Sequence, residues 1–137
     1  MSDSIILFDD PEALAVAFLR THLPDFGIRL PVGTSVPMGP NREAARQYIR
    51  VLLTGGNQLS PVTDESLIVI EVHYAPDDDS TVASRTASII RSLITAWPRL
   101  DPTIRRVREV GRPVPRTHPD TGAPSYSQSH AILTRGI

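Results

Sequence analysis

Apolar residues occupy every second position from Ile68 to Tyr74 within residues 67–75 of this chain, LIVIEVHYA, as in a strand with one buried face. The apolar face comprises Ile68, Ile70, Val72 and Tyr74. A second alternating segment covers 47–53, where Tyr48 and Arg50 point away from the core. The glycine pair Gly55–Gly56 is predicted to end this strand, because glycine weakens strand interiors.

Three further segments have weaker strand patterns. Residues 28–36 are mostly β-branched or aliphatic, and Pro31 among them indicates the edge of a sheet. Residues 104–114 and 125–134 follow near the C-terminus, joined by the turn-rich sequence THPDTGAP.

Two helices are predicted from apolar residues at helical spacing. The first begins after Asp10, whose side chain caps it, with Pro11 at the first helical position, and it ends before Pro24. Its apolar face comprises Leu14, Phe18, Leu19 and Leu23. The second follows the acidic run Asp77–Asp79, which is predicted to cap it, and ends at Pro98. Its apolar face comprises Val82, Ile89, Ile90, Leu93, Ile94 and Trp97.

This order of elements, α-β-β-β-α-β-β, predicts an α+β fold, a two-layer sandwich in which a mostly antiparallel sheet has helices packed on one face. The 137 residues, 40% of them hydrophobic, are expected to form a single domain over 1–137 with one core. The predicted core comprises Leu14, Phe18, Leu19, Ile49, Val51, Ile68, Ile70, Val72, Ile90, Leu93 and Trp97.

Composition and missing motifs exclude several functions. The chain has no cysteine, which excludes disulfide scaffolds, thiolate metal sites and cysteine nucleophiles. Motifs for nucleotide binding, serine hydrolysis and zinc proteolysis are missing, and the four histidines have no ligand-like spacing. We therefore expect no cofactor, no metal and no catalytic residue. We also expect a soluble, unsecreted protein, because no apolar run approaches the roughly 20 residues of a membrane span and the N-terminus does not resemble a signal peptide.

Charge is uneven along a chain whose net charge is −1. Six arginines and only two acids lie between Arg99 and Arg116. On an extended strand Arg106, Arg108, Arg112 and Arg116 would share one face, and we call these four residues the arginine stripe. The stripe is compatible with a solvated edge strand, with an acidic protein neighbour, or with sequence-independent phosphate contact. No aromatic residue lies among these arginines, which disfavours specific nucleic-acid recognition.

Several segments, in this order, resemble the tail terminator (tail completion) family of long-tailed phages. They are DDPEALAVAFLRTHL, VGTSVP from Val32, YIRVLLTGG from Tyr48, LIVIEVHYA, and HPDTGAPSYS from His118. The last resembles the Pro-Asp-Gly-Pro-Tyr hairpin that precedes the final strand in many members. The chain departs from the family in the long spacer 58–66 and in Ser125, where members often carry an arginine.

The resemblance implies a structural protein of the virion and not an enzyme. Such a protein is assembled in the host cytoplasm as a homohexameric ring at the tail–neck junction, where it stops polymerisation of the major tail tube protein. It then offers a docking surface to the head-completion or connector protein, and packaged DNA passes through its lumen without sequence recognition. Heterologous contacts can close such a ring. The candidate interface residues are Arg106, Arg108, Arg112, Arg116, Gly55, Gly56, Asp120, Gly122 and Tyr126.

Two alternatives stay open. A neck or head-completion protein would also form rings without catalytic residues, and gene position would separate it from a terminator. A small enzyme or ligand-binding domain would assemble its site from scattered residues such as Arg50, Glu71 and His73, and a concave pocket with convergent polar groups would indicate it. For Glu71 paired with Glu65 or Asp64 as acid and base, nothing in the sequence would shift the pKa values.

Three segments are expected to be loops that make the contacts between subunits. They are Met38–Arg46, Gly55–Ser66 and Arg116–Pro124. Each is long, rich in proline or glycine, and poor in apolar periodicity, as contact loops on a rigid scaffold often are.

Overall fold

A computed structural model describes residues 5–38 and 46–136 of the chain as two α-helices and one five-stranded sheet. In chain order the elements are α1 (Pro11–His22), a 3₁₀ helix (Leu23–Phe26), β1 (Val32–Gly33), β2 (Tyr48–Ser60), β3 (Thr63–His73), α2 (Ser80–Leu100), β4 (Ile104–Thr117) and β5 (Pro124–Arg135). The predicted α+β class and order of elements are confirmed.

The strand order across the sheet is β1-β2-β3-β5-β4. β1 pairs parallel to β2, and every other neighbouring pair is antiparallel. Two edges result, one formed by the very short β1 beside β2 and the other by the long β4. Pro31 lies directly before β1, so its prediction as an edge residue is confirmed, although the strand predicted over 28–36 is only two residues long.

Both helices pack on one face of the sheet and share a single hydrophobic core with it. Ten of the predicted core residues are buried in that cluster, and Leu14 is half-buried against it. Phe18 of α1 stacks on Trp97 of α2 with ring centroids 4.8 Å apart, which ties the helices together above the sheet. Val82, predicted on the apolar face of α2, is 65% exposed instead, because it lies in the first turn of the helix, at the margin of the sheet.

Both predicted helix starts are confirmed by their caps. The Asp10 carboxylate accepts a hydrogen bond from the Glu12 backbone N–H at 2.9 Å, and Asp79 accepts one from Thr81 at 2.9 Å. The predicted end of α2 at Pro98 is wrong by two residues, since the helix continues to Leu100. Proline removes only one helical hydrogen bond so close to the end, and the buried Trp97 holds this turn against the core.

The predicted end of β2 at Gly55–Gly56 is also wrong. β2 continues to Ser60, with Gly55 opposite Leu67 and Gly56 opposite Ser66, and it turns directly into β3. The segment Gly55–Ser66, predicted as a loop, is therefore a β-hairpin, which we call the hairpin arm. The predicted loop Arg116–Pro124 is shorter than expected, because β4 ends at Thr117. Most of the remaining predicted loop, Met38–Arg46, lies outside the described residues, since residues 39–45 are not among them.

Among the described residues, no helix is long and apolar enough to cross a membrane.

Candidate interface surfaces

The face of the sheet directed away from the two helices has no described element packed on it, and we call it the open face. Side chains alternate along each strand, so the residues between the core positions point there. They include Tyr48, Arg50, Leu52, Leu67, Val69, Glu71, His73, Ser125, Ser127, Ser129, Ala131 and Leu133. The open face therefore combines apolar side chains with serines and charged groups.

A polar cluster lies at one end of the open face. His73 Nε2 is 3.1 Å from Glu71 Oε1, and the Tyr48 ring stacks on the His73 ring with centroids 4.4 Å apart. Arg50 lies directly opposite Glu71 on the neighbouring strand. The hydrogen bond with His73 lowers the pKa of Glu71, and the positive charges of Arg50 and Arg116 lower it further. Glu71 is therefore ionised at neutral pH and serves electrostatic contact better than proton transfer.

A groove adjoins this cluster, with a volume of about 460 Å³. Its lining includes Glu71, His73, Arg116, His118 and Ser125. The residues that sequence analysis named as a scattered site thus come together on one surface, with Arg50 beside them.

The two carboxylate pairs considered as acid and base do not form a catalytic pair. Glu65 and Glu71 share the open face of β3 but are six residues apart, roughly 20 Å along an extended strand. Paired glycosidase carboxylates are only about 5 to 9.5 Å apart. Asp64 alternates to the opposite face of the strand from Glu71. The sheet geometry therefore gives no support to glycoside hydrolysis.

The arginine stripe is broken by β-bulges in β4. Arg106, Arg108 and Arg116 pair with Leu133, Ala131 and Ser125 of β5, which all belong to the open face. Arg112 instead lies in the irregularity between Gly111 and Val114, so it is out of register with the other three. The predicted common face is correct for three of the four arginines.

Acidic groups accompany these arginines. Arg108 is 3.8 Å from Glu65 on β3, although both side chains are partly exposed and the contact contributes little to stability. Glu109 points the other way and binds Arg91 of α2 at 2.6 Å. β4 is consequently a basic edge strand, and the two carboxylates beside it, Glu65 and Glu109, each already contact an arginine.

The hairpin arm depends on Gly56, whose φ of +135° is rarely adopted by other residues. A Cβ at this position would lie 2.1 Å from the Glu65 carbonyl oxygen, whereas one at Gly55 would lie 3.8 Å from Leu67 Cδ1. Sequence analysis named both glycines as interface candidates, but the structure gives Gly56 a backbone role in the hairpin.

Replacing Gly56 by alanine is expected to lower the free energy of unfolding by about 1 to 3 kcal/mol, because the strained φ and the clash with β3 act together. Chemical denaturation would measure the change. Gly55→Ala is the matched control and should change stability by less than about 1 kcal/mol, since its contact is an ordinary one. Equal destabilisation by the two variants would contradict this account of Gly56.

The loop between β4 and β5 is organised around His118. Its Nδ1 accepts hydrogen bonds from the Asp120 and Thr121 backbone N–H groups at 3.2 and 3.3 Å. Gly122 has φ of +69° and donates to the His118 carbonyl at 2.9 Å. This turn presents Asp120 to solvent beside the groove.

Tyr126 follows that loop closely, but its side chain lies on the helix side of β5. It is half-buried against the core and stacks with Tyr74 at 6.0 Å between ring centroids. The candidate residues thus do not form one site. Arg116, Asp120 and Gly122 lie at or beside the β4–β5 loop, and Gly55 and Gly56 lie on the hairpin arm. Arg106 and Arg108 lie in the half of β4 that is level with that arm, Arg112 lies between the two ends of β4, and Tyr126 has a packing position. Sequence analysis missed the Tyr48–His73 stack, which depends on the register of the β2–β3 hairpin.

No three His, Asp or Glu side chains gather as metal ligands in the part of the chain that the structure describes. No protein-family model matches the chain, and no curated protein is significantly similar to it. The surface chemistry of the fold and the resemblance of its sequence segments therefore remain as the indications of function.

Proposed function

We propose that this protein is a structural component of a phage virion, a tail terminator that caps the tail tube as a homohexameric ring and provides the surface to which the head connector docks. The observation that carries the proposal is the open face, a sheet surface of mixed apolar, polar and charged side chains that no described element covers, as expected of a surface that another protein covers. The order of sequence segments that resemble the terminator family supports the same function.

The charges of the open face favour a protein neighbour over DNA. Arg50 and Arg116 flank the ionised Glu71, and Arg108 lies near Glu65. A surface that binds along the phosphate backbone of DNA is positively charged throughout, because any carboxylate near the phosphates would repel them. Alternating signs instead match protein surfaces, where complementary charges select the partner and fix its orientation.

Adding the purified protein to polymerising tail tube protein from the same genome tests the proposal. We expect negative-stain images to show tubes that stop growing and carry a ring at one end. Arg106→Glu combined with Arg108→Glu should leave the fold intact and reduce capping at least tenfold, because two exposed contacts change sign. Tubes that elongate equally with and without the wild-type protein would overturn the proposal. Rings that bind the head connector but not the tube would identify a head-completion protein instead.

A further inference from the structure

The sheet has two edges with unpaired strand segments. β1 pairs with β2 only at Ile49 and Arg50, and beyond Arg50 none of the other described strands, β3 to β5, pairs with that side of β2. β4 forms the opposite edge along its whole length. Unpaired backbone N–H and C=O groups at such edges are templates for another strand, and proteins usually block them unless they are used.

The two free segments lie at the same level of the sheet. One row of paired residues runs through Gln58, Asp64, Thr134 and Ile104. A second row runs through Gly55, Leu67, Ala131 and Arg108. The segment 55–58 of β2 is therefore level with 104–108 of β4 on the other side of the sheet.

The directions of the strands are compatible with joining these edges. Three successive antiparallel pairings separate β2 from β4, so the two strands run in opposite directions. A second copy placed beside the first in the same orientation would bring its β4 antiparallel to β2, the arrangement with the better hydrogen-bond geometry.

Proline confines this pairing to one half of β4. Pro113 and Pro115 have no N–H to donate, and they lie in the half of β4 nearer the β4–β5 loop. The segment 105–111 contains no proline. The half of β4 able to pair is thus the half that is level with the free segment of β2.

Charge distinguishes the two edges. Arg105, Arg106 and Arg108 are exposed along the pairing half of β4. At the β2 edge, the Glu12 carboxylate accepts the Leu53 N–H at 2.9 Å, and the exposed Asp9 and Asp10 immediately precede this turn of α1. Two β4 edges would repel each other, as would two β2 edges, whereas β4 against β2 brings opposite charges together.

We propose that a second copy of this chain adds its β4 segment 105–108 antiparallel to the β2 segment 55–58, so that subunits join head to tail through a continuous sheet. This contact is heterologous, and copies joined in this way form a ring if the rotation between them closes. The β4–β2 contact would join neighbouring subunits of the proposed ring. It rests on the proposed function only in that the copies close into a ring.

Cysteine crosslinking tests the contact directly, because the natural chain contains no cysteine. Asn57 and Arg106 are exposed and lie in one row of the sheet through Glu65 and Leu133. We expect the double variant Asn57→Cys with Arg106→Cys, treated with a short bismaleimide, to give a ladder of covalent oligomers. A mixture of the two single variants should give covalent dimers only, and each single variant alone should stay monomeric.

The control pair is Asn57→Cys with Ser92→Cys, which places the second thiol on the exposed side of α2. It should give no more than a tenth of the oligomers formed by the test pair. Self-crosslinking of Arg106→Cys alone would overturn the inference in favour of a two-fold contact, and so would equal yields from the test and control pairs.

The experiment is run on purified protein alone and again in the presence of tail tubes. If the wild-type protein caps tubes but the test pair gives no ladder in either condition, the proposed function stands and the β4–β2 contact is ruled out. If the test pair gives a ladder but the wild-type protein does not cap tubes, the contact stands and the terminator function is ruled out.

Discussion

Replacing Val72 by aspartate is expected to prevent folding. Val72 is 1% exposed in the middle of β3, between Ile49 of β2 and Tyr126 of β5. A carboxylate buried there without a partner costs several kcal/mol, a large share of the roughly 5 to 15 kcal/mol that stabilises a typical domain. Circular dichroism on heating would show the loss as the absence of a cooperative transition.

The same substitution at Val82 serves as the matched control. Val82 is 65% exposed and lies in the first turn of α2, where a negative charge interacts favourably with the helix dipole. Val82→Asp should therefore melt at or slightly above the wild-type temperature. A Val72→Asp protein that melts cooperatively near the wild-type temperature would contradict the burial of β3.

Acidification between pH 6.5 and 4 is expected to cost the protein about 3 kcal/mol of stability through a single histidine, His130. Its side chain is 1% exposed on β5, and its Nε2 lies 2.8 Å from Gln128 Oε1, whose amide in turn donates to the Ala87 carbonyl of α2 at 3.0 Å. Burial lowers the pKa of His130 to about 4, and Arg91 adds to this effect while Glu109 opposes it.

The lowered pKa of His130 determines whether stability rises or falls with pH. The unfolded chain binds the proton below about pH 6.5, whereas the folded protein resists it until about pH 4. The contribution is therefore fully present above pH 6.5 and is lost as the pH falls towards 4. Denaturant titrations at pH 7 and pH 5 should differ by about 2 kcal/mol from this group.

One variant isolates the effect. His130→Gln keeps a hydrogen-bonding side chain but cannot titrate, so its stability should change much less between pH 7 and pH 5. If His130→Gln and the wild type lose equal stability over this interval, the buried histidine is not responsible.

The core was predictable from sequence because its pattern is local. Every second residue from Ile68 to Tyr74 is apolar, since β3 lies in the centre of the sheet and the helices pack on that face. The caps at Asp10 and Asp79 were predictable for a similar reason, as each side chain bonds an N–H two residues further along the chain.

The errors concern interactions between paired strands. The glycine pair Gly55–Gly56 indicated the end of β2, yet Gly56 is needed because the β3 backbone at Glu65 passes close to it. Even spacing indicated that Arg112 belongs to the arginine stripe, but the bulges change which face each residue takes. Neither effect is visible without the partner strand.

The candidate surfaces were predictable in part. Arg50, Glu71 and His73 could be named individually, whereas their convergence depends on the register of β2 against β3. The acids near β2 were interpreted only as helix-capping groups, because the contact between Glu12 and Leu53 joins residues 41 positions apart.

Trp97 is the only tryptophan in the chain, and its indole is 1% exposed and already packed against Phe18. An indole in apolar surroundings emits at shorter wavelength than one in water, so its fluorescence reports whether the helices remain on the sheet. Joining of copies through β2 and β4 should leave that emission unchanged. A variant that fails to assemble yet keeps the short-wavelength emission has lost a contact, whereas one with red-shifted emission has lost its fold.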